Sequence, residues 1–173
     1  ARRLGVVNLT PNGDKLQATL NATITEAPGV RAVRAVFGKL SPYFAVRNVT
    51  NSLPVLAEDA TVAYTGATSL VTDVNGRATI ALKALVRDIT AVSGDPAFDS
   101  SGGQIRFARV VFVNRDTGEV IKEVAVTPSK DVKVGTAAFG WVVNIGANPS
   151  AAFNVGMVVK GYYARDRGEE APL

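Results

Sequence analysis

The stretch RATIALKALVRD, residues 77 to 88, constrains the fold more than any other. Ile80, Leu82, Ala84 and Val86 fall on every second position, with Thr79, Lys83 and Arg87 between them. Successive side chains of a strand point to opposite faces, so this spacing predicts a strand with one face in a core and one in water. The pattern recurs. KLQATLNATI sets Leu16, Ala18, Leu20, Ala22 and Ile24 against Gln17, Thr19, Asn21 and Thr23. FARVVFVN puts Ala108, Val110 and Phe112 on one face, with Phe107, Arg109 and Val111 on the other. TAAFGWVVNI groups Ala137, Phe139, Trp141 and Val143, and FNVGMVVKGYY groups Phe153, Val155, Met157 and Val159. Gly, Pro, Asn and Asp separate the runs, and helix signals are nearly absent. The expected fold class is all-β, with strands spaced as in a sandwich.

The 173 residues suffice for one large domain or two small ones. A boundary is expected near TNSLPVLAEDATVAYTG, where Pro54 limits central-strand pairing and Glu58 and Asp59 form a polar joint before a strand at 61 to 65. This divides the chain into a small or partial β unit, 1–57, with about four strands, and a full sandwich, 58–173, with six or seven. The order LQATLNATI…GVRAVRAVF is echoed by RATIALKALV…IRFARVVFV, which suggests two related units.

Side-chain chemistry narrows the function classes. The chain has no cysteine and no histidine, which removes disulfides, thiol nucleophiles, Cys/His zinc sites and imidazole bases. No pair of carboxylates stands out as general acid and base, and no GxSxG elbow is present. Ser129 and Lys130 are adjacent, so on a strand they would point to opposite faces. No catalytic set is expected. The net charge of +4 comes from scattered Lys and Arg rather than a basic patch, which argues against nucleic acid. No apolar run approaches the length of a membrane helix, so membrane insertion is not expected. The opening Ala1-Arg2-Arg3 reads as a mature terminus or a fragment.

Four features invite a functional reading. The knot at 114 to 118, NRDTG, lies between two β-rich runs and lacks the acidic ladder of a calcium loop, so it reads as a hairpin turn with Gly118 at positive φ. Phe112 is then expected in the core, with Arg115 and Asp116 in water. The longer loop at 87 to 104 contains Asp88, Asp95 and Asp99, which with Ser100 and carbonyl groups would make an oxygen shell for calcium. The competing reading is a solvated loop packed down by Phe98, with Gly102 and Gly103 returning the chain to a strand. Trp141, Tyr162 and Tyr163 are candidates for a sugar-binding platform, against a core role for the Trp and a backbone-bonding role for a tyrosine. Finally, Asn8, Asn21 and Asn48 begin Asn-X-Thr triplets.

VAYTGATSL, ATIALKALVRDIT, GGQIRFARVVFVNRDTGEVI, GTAAFGWVVNIG and FNVGMVVKGYYAR together resemble an immunoglobulin-like module of large secreted and surface proteins of bacteria. The resemblance runs over about residues 58 to 167. Its most specific pieces are YTG (64–66), VNRDTG (113–118) and VGMVVKGYY (155–163). APGVRAVRAVFGKLSPYFA more loosely resembles the last part of another such repeat, whose early strands would lie upstream. The resemblance implies a secreted or cell-surface location, and a spacing, adhesive or attachment role without enzymatic activity or cofactor. The implied partners are other immunoglobulin-like domains or copies of the same chain. In a bacterial protein the Asn-X-Thr triplets would usually stay bare. Two alternatives stand beside this expectation. One is a self-assembling filament or shell subunit in which the incomplete first unit exchanges residues 2 to 9 with a neighbour. The other is a carbohydrate-binding module that takes surface glycans.

Overall fold

The computed structural model describes residues 2–22, 26–38, 46–90 and 102–165. The strands are β1 (Thr10–Asn12), β2 (Lys15–Gln17), β3 (Gly29–Phe37), β4 (Arg47–Val55), β5 (Glu58–Tyr64) and β6 (Arg77–Asp88). They continue with β7 (Ala108–Asn114), β8 (Val120–Ala125), β9 (Thr127–Pro128), β10 (Val134–Asn144), β11 (Val155–Gly161) and β12 (Tyr163–Arg165). One 3-10 turn, Ile105–Phe107, precedes β7. The protein is all-β, and among the described residues no helix is long and apolar enough to cross a membrane.

Two of the sheets share a core. One has the order β12-β5-β6-β10-β9, the other β11-β7-β8. The longest pairing joins β6 and β10 from Val134↔Arg87 to Asn144↔Arg77. This register sets Ala137 beside Ala84, Phe139 beside Leu82, Trp141 beside Ile80 and Val143 beside Ala78. Directly opposed residues of an antiparallel pair share a face, so the two sequence alternations coincide on the inner side. Ala108, Val110 and Phe112 of β7 and Met157 and Val159 of β11 complete the same cluster from the second sheet. Phe112, Leu82 and Ile105 are fully buried, each stabilising the fold by about 1.5–3 kcal/mol relative to an exposed side chain.

The expected alternations of β6, β7, β10 and β11 hold, with one addition. Val111 points away from the core yet is buried. β7 is the central strand of its sheet, and Val111 lies between Val158 on one side and Glu123 on the other. Cross-strand neighbours cover it without a second layer.

The N-terminal part is built differently. β1 pairs only with β2, and β3 only with β4. Within APGVRAVRAVFGKLSPYFA, residues Gly29–Phe37 form β3. KLQATLNATI does not form the expected ten-residue strand: only Lys15–Gln17 is strand, and all three residues are exposed. Leu16 and Leu20 remain exposed, and Ile24 lies outside the described residues. Alternation specifies a strand only when a partner and a covering layer exist. Here the inward candidates include two alanines that bury little area, and no second sheet edge receives residues 18 to 22.

The β3–β4 ribbon carries apolar side chains on both faces, with Val30 and Val36 on one of them. Opposed pairs Val33↔Asn51, Ala35↔Val49 and Arg31↔Leu53 place Val33, Ala35, Val49 and Leu53 on the other. Val49 is 68% exposed. Two strands alone bury too little surface to be stable by themselves in water.

Candidate functional site

The long loop between β6 and β7 is fastened at both ends by one carboxylate. Asp88, the last residue of β6, accepts from the Thr90 backbone N–H on Oδ1 at 2.9 Å. Its Oδ2 accepts from the Gly103 N–H at 2.9 Å and from the Tyr163 hydroxyl at 3.2 Å. Thr90 is buried and its hydroxyl bridges the backbone of Asp59, accepting from the N–H at 2.9 Å and donating to the carbonyl at 3.3 Å. Ile89 N–H donates to the same Asp59 carbonyl. The start of β5, the end of β6, both loop ends and β12 thus meet at one polar knot.

Gly103 leaves room for this packing. A Cβ at that position would collide with the Glu58 carboxylate and the Tyr163 hydroxyl. Burial pushes the Tyr163 hydroxyl well above the ordinary tyrosine range, and the neighbouring carboxylates of Asp88 and Glu58 push it further. Tyr163 therefore stays protonated and acts as a donor. This arrangement holds chain segments together through charge-assisted hydrogen bonds.

Of the three calcium candidates, Asp88 is placed with its oxygens turned to N–H and O–H donors, while Asp95 and Asp99 lie outside the described residues. Among the described residues no three acidic side chains gather at metal-binding distance. The aromatic candidates do not converge. Trp141 packs against the core and meets Phe153 edge-on at 5.1 Å, Tyr163 is buried in the knot, and Tyr162 stacks on Phe107 at 4.9 Å. Ser129 is engaged in its own turn, its hydroxyl accepting from the Asp131 N–H and donating to the Asp131 carbonyl. Asn8, Asn21 and Asn48 are all exposed.

The knot at 114 to 118 is a turn. Asn114 N–H donates to the Glu119 carbonyl, Gly118 N–H donates to the Asn114 carbonyl, and Gly118 has φ +75°. The Asn114 side chain accepts from the Asp116 N–H at 2.9 Å, which fixes the first bend. Asp116 reaches across instead, accepting from the Asn154 N–H at 3.1 Å and the Asn154 side-chain amide at 2.7 Å. Those bonds hold its carboxyl below the ordinary range, the backbone bond foremost. Phe112 is buried, and Arg115 and Asp116 are exposed, as the hairpin reading requires.

No family model matches the chain, and neither a curated protein nor a solved structure does.

A second feature escaped sequence reasoning altogether. Among the described residues β11 is an end strand of its sheet, paired only with β7. Arg115 N–H donates to the Asn154 carbonyl and Tyr162 N–H to the Phe107 carbonyl. In this register even-numbered residues turn their backbone groups toward β7, so Val155, Met157 and Val159 turn theirs to the open side. Beside the Val155 end lies a groove of about 670 Å3, lined by the half-buried Ile80 and by residues 67 to 72 and 149 to 153. Leu70 and Val71 on its rim are exposed. The sheet's other edge, β8, carries Lys122 and Glu123 along its length, whereas β11 reads VGMVV before its first charge.

Proposed function

We propose that the chain is a non-catalytic structural module of a bacterial surface protein, held outside the cell and acting through contacts with copies of itself or with neighbouring immunoglobulin-like domains. The strand division supports an immunoglobulin-like sandwich. β5, β6, β10 and β9 lie in one sheet and β7 and β11 in the other, the division of strands A, B, E and D from C and F in such folds. Residues 58–173 form that unit and 1–57 a smaller β unit before it. The polar residues best placed for chemistry, Asp88 and Tyr163, are spent on fastening a loop.

Of the roles open to such a module, assembly is the best supported. The observation that carries it is the open edge of β11, apolar from Val155 to Val159, beside an apolar groove. Natural sheets usually protect their edges with charge, proline or cover, as β8 is protected here. An edge left apolar and open is suited to adding a strand from another chain. Sedimentation of the purified chain over a concentration series tests this: reversible association is expected, and a single monomeric species throughout would leave a spacer role within a longer array. Glycan binding is the weaker alternative, because Trp141, Tyr162 and Tyr163 present no common exposed face.

A further inference from the structure

Among the described residues, 2 to 9 lie in no sheet. They are exposed apart from the half-buried Leu9, and they carry Leu4, Val6 and Val7 at 38, 70 and 40% exposure. The segment packs lightly on its own chain, through Leu20 against Gly5 and an exposed Arg2–Glu26 ion pair at 3.3 Å. Contacts of this kind contribute little, since exposed ion pairs are worth about 0–1 kcal/mol. Among the described residues one molecule therefore holds both an apolar segment outside any sheet, Leu4 to Leu9, and a strand edge open on one side, β11.

We propose that the open edge of β11 and its groove are the acceptor for residues 2 to 9 of a second copy of this chain, bound as an added strand. The inference rests on the assembly reading above and names its site. Lengths agree: extended, residues 2 to 9 span about 26 Å and the seven residues of β11 about 23 Å. Chemistry agrees as well. The backbone N–H and C=O groups of Val155, Met157 and Val159 gain partners. Alternate residues of the incoming strand, Leu4 and Val6 on one face or Val7 and Leu9 on the other, reach the apolar groove. In the immunoglobulin-like arrangement the place beside the F strand belongs to strand G. Here the chain leaves β11 at Gly161 and crosses to the first sheet, where β12 pairs in parallel with β5, so among the described residues that place has no strand. Intramolecular docking of the same segment would satisfy the same groups, and the test separates the two.

The absence of native cysteine makes disulfide trapping clean. Chains carrying Val6→Cys and chains carrying Ala151→Cys, a groove position, are mixed at an associating concentration and oxidised. The control partner carries Val30→Cys, on β3 and 72% exposed. The expected result is a V6C–A151C heterodimer formed at least about ten times faster than V30C–A151C, a difference of about 1.4 kcal/mol in barrier. A synthetic peptide of residues 2 to 9 suppresses it, and the amides of Val155, Met157 and Val159 exchange more slowly in the associated protein. Association without preferential V6C–A151C trapping overturns this acceptor while leaving assembly standing. A chain that stays monomeric and untrapped overturns both. Concentration-independent trapping within one V6C/A151C double variant shows the arm in its own groove and overturns exchange.

Discussion

Asp88 is where a single substitution tells most about the fold. Asp88→Ala removes the acceptor for Thr90 N–H, Gly103 N–H and the Tyr163 hydroxyl together. Hydrogen bonds to a charged group each contribute roughly 1.5–3 kcal/mol, and water reaches part of this site, so a net loss of about 3 kcal/mol is expected in chemical denaturation. Tyr163→Phe removes one of those bonds and should cost about 1 kcal/mol. The same tyrosine gives a pH signature. Its hydroxyl, like that of Tyr64, titrates higher in the folded chain than in the unfolded one. Above the ordinary tyrosine value, about 10, the unfolded chain gives up protons that the folded chain keeps, and stability falls as pH rises. Denaturation midpoints measured on the alkaline side should drop less steeply in Tyr163→Phe than in the native chain. The acidic side has its own contributor. Asp116 titrates below its ordinary value because of Asn154, so its contribution is present above the unfolded value and fades as pH falls through the folded one. Asp88 was legible in the sequence as an important loop carboxylate. Its purpose was not, because the donors come from residues 2, 15 and 75 positions away.

At the scale of elements, the hairpin β7–β8 and the alternation of β6 and of β10 were readable from the sequence, and KLQATLNATI was not. The difference is physical. β6 and β10 carry Leu82, Val86, Phe139 and Trp141, large enough to reward one register over its neighbours, while residues 15 to 22 alternate small or polar side chains with two leucines. The open side of β11 could not be read from its alternation either, since strand order in a sheet is a long-range property. Two substitutions test the hairpin and the core it aligns. Gly118→Ala forces a side chain into φ +75° and should cost about 1 kcal/mol, with no clash because open space surrounds the position. Phe112→Ala empties the centre of the shared core and should cost about 3–5 kcal/mol, enough to unfold a marginal domain. Thermal unfolding followed by tryptophan fluorescence reports both, because Trp141 packs against the same cluster.

For the whole molecule, two properties stand side by side: a two-sheet core fastened at a polar knot, and apolar surface that one chain leaves uncovered. Among the described residues the second includes Leu4, Val6 and Val7 of the N-terminal segment, Val30, Val36, Val49 and Leu53 of the β3–β4 ribbon, and Leu70 and Val71 on the groove rim. Covering such surface is worth roughly 25 cal/mol per Å2, and a second copy offers the means. The missing His and Cys remove imidazole and thiol chemistry, and composition carries no information on which surface makes contacts. Sedimentation velocity of the intact chain, from low-micromolar to sub-millimolar concentration, tests assembly most directly. An assembly module gives a weight-average sedimentation coefficient that climbs with concentration and returns on dilution. One unchanging monomer boundary across the whole range would contradict it.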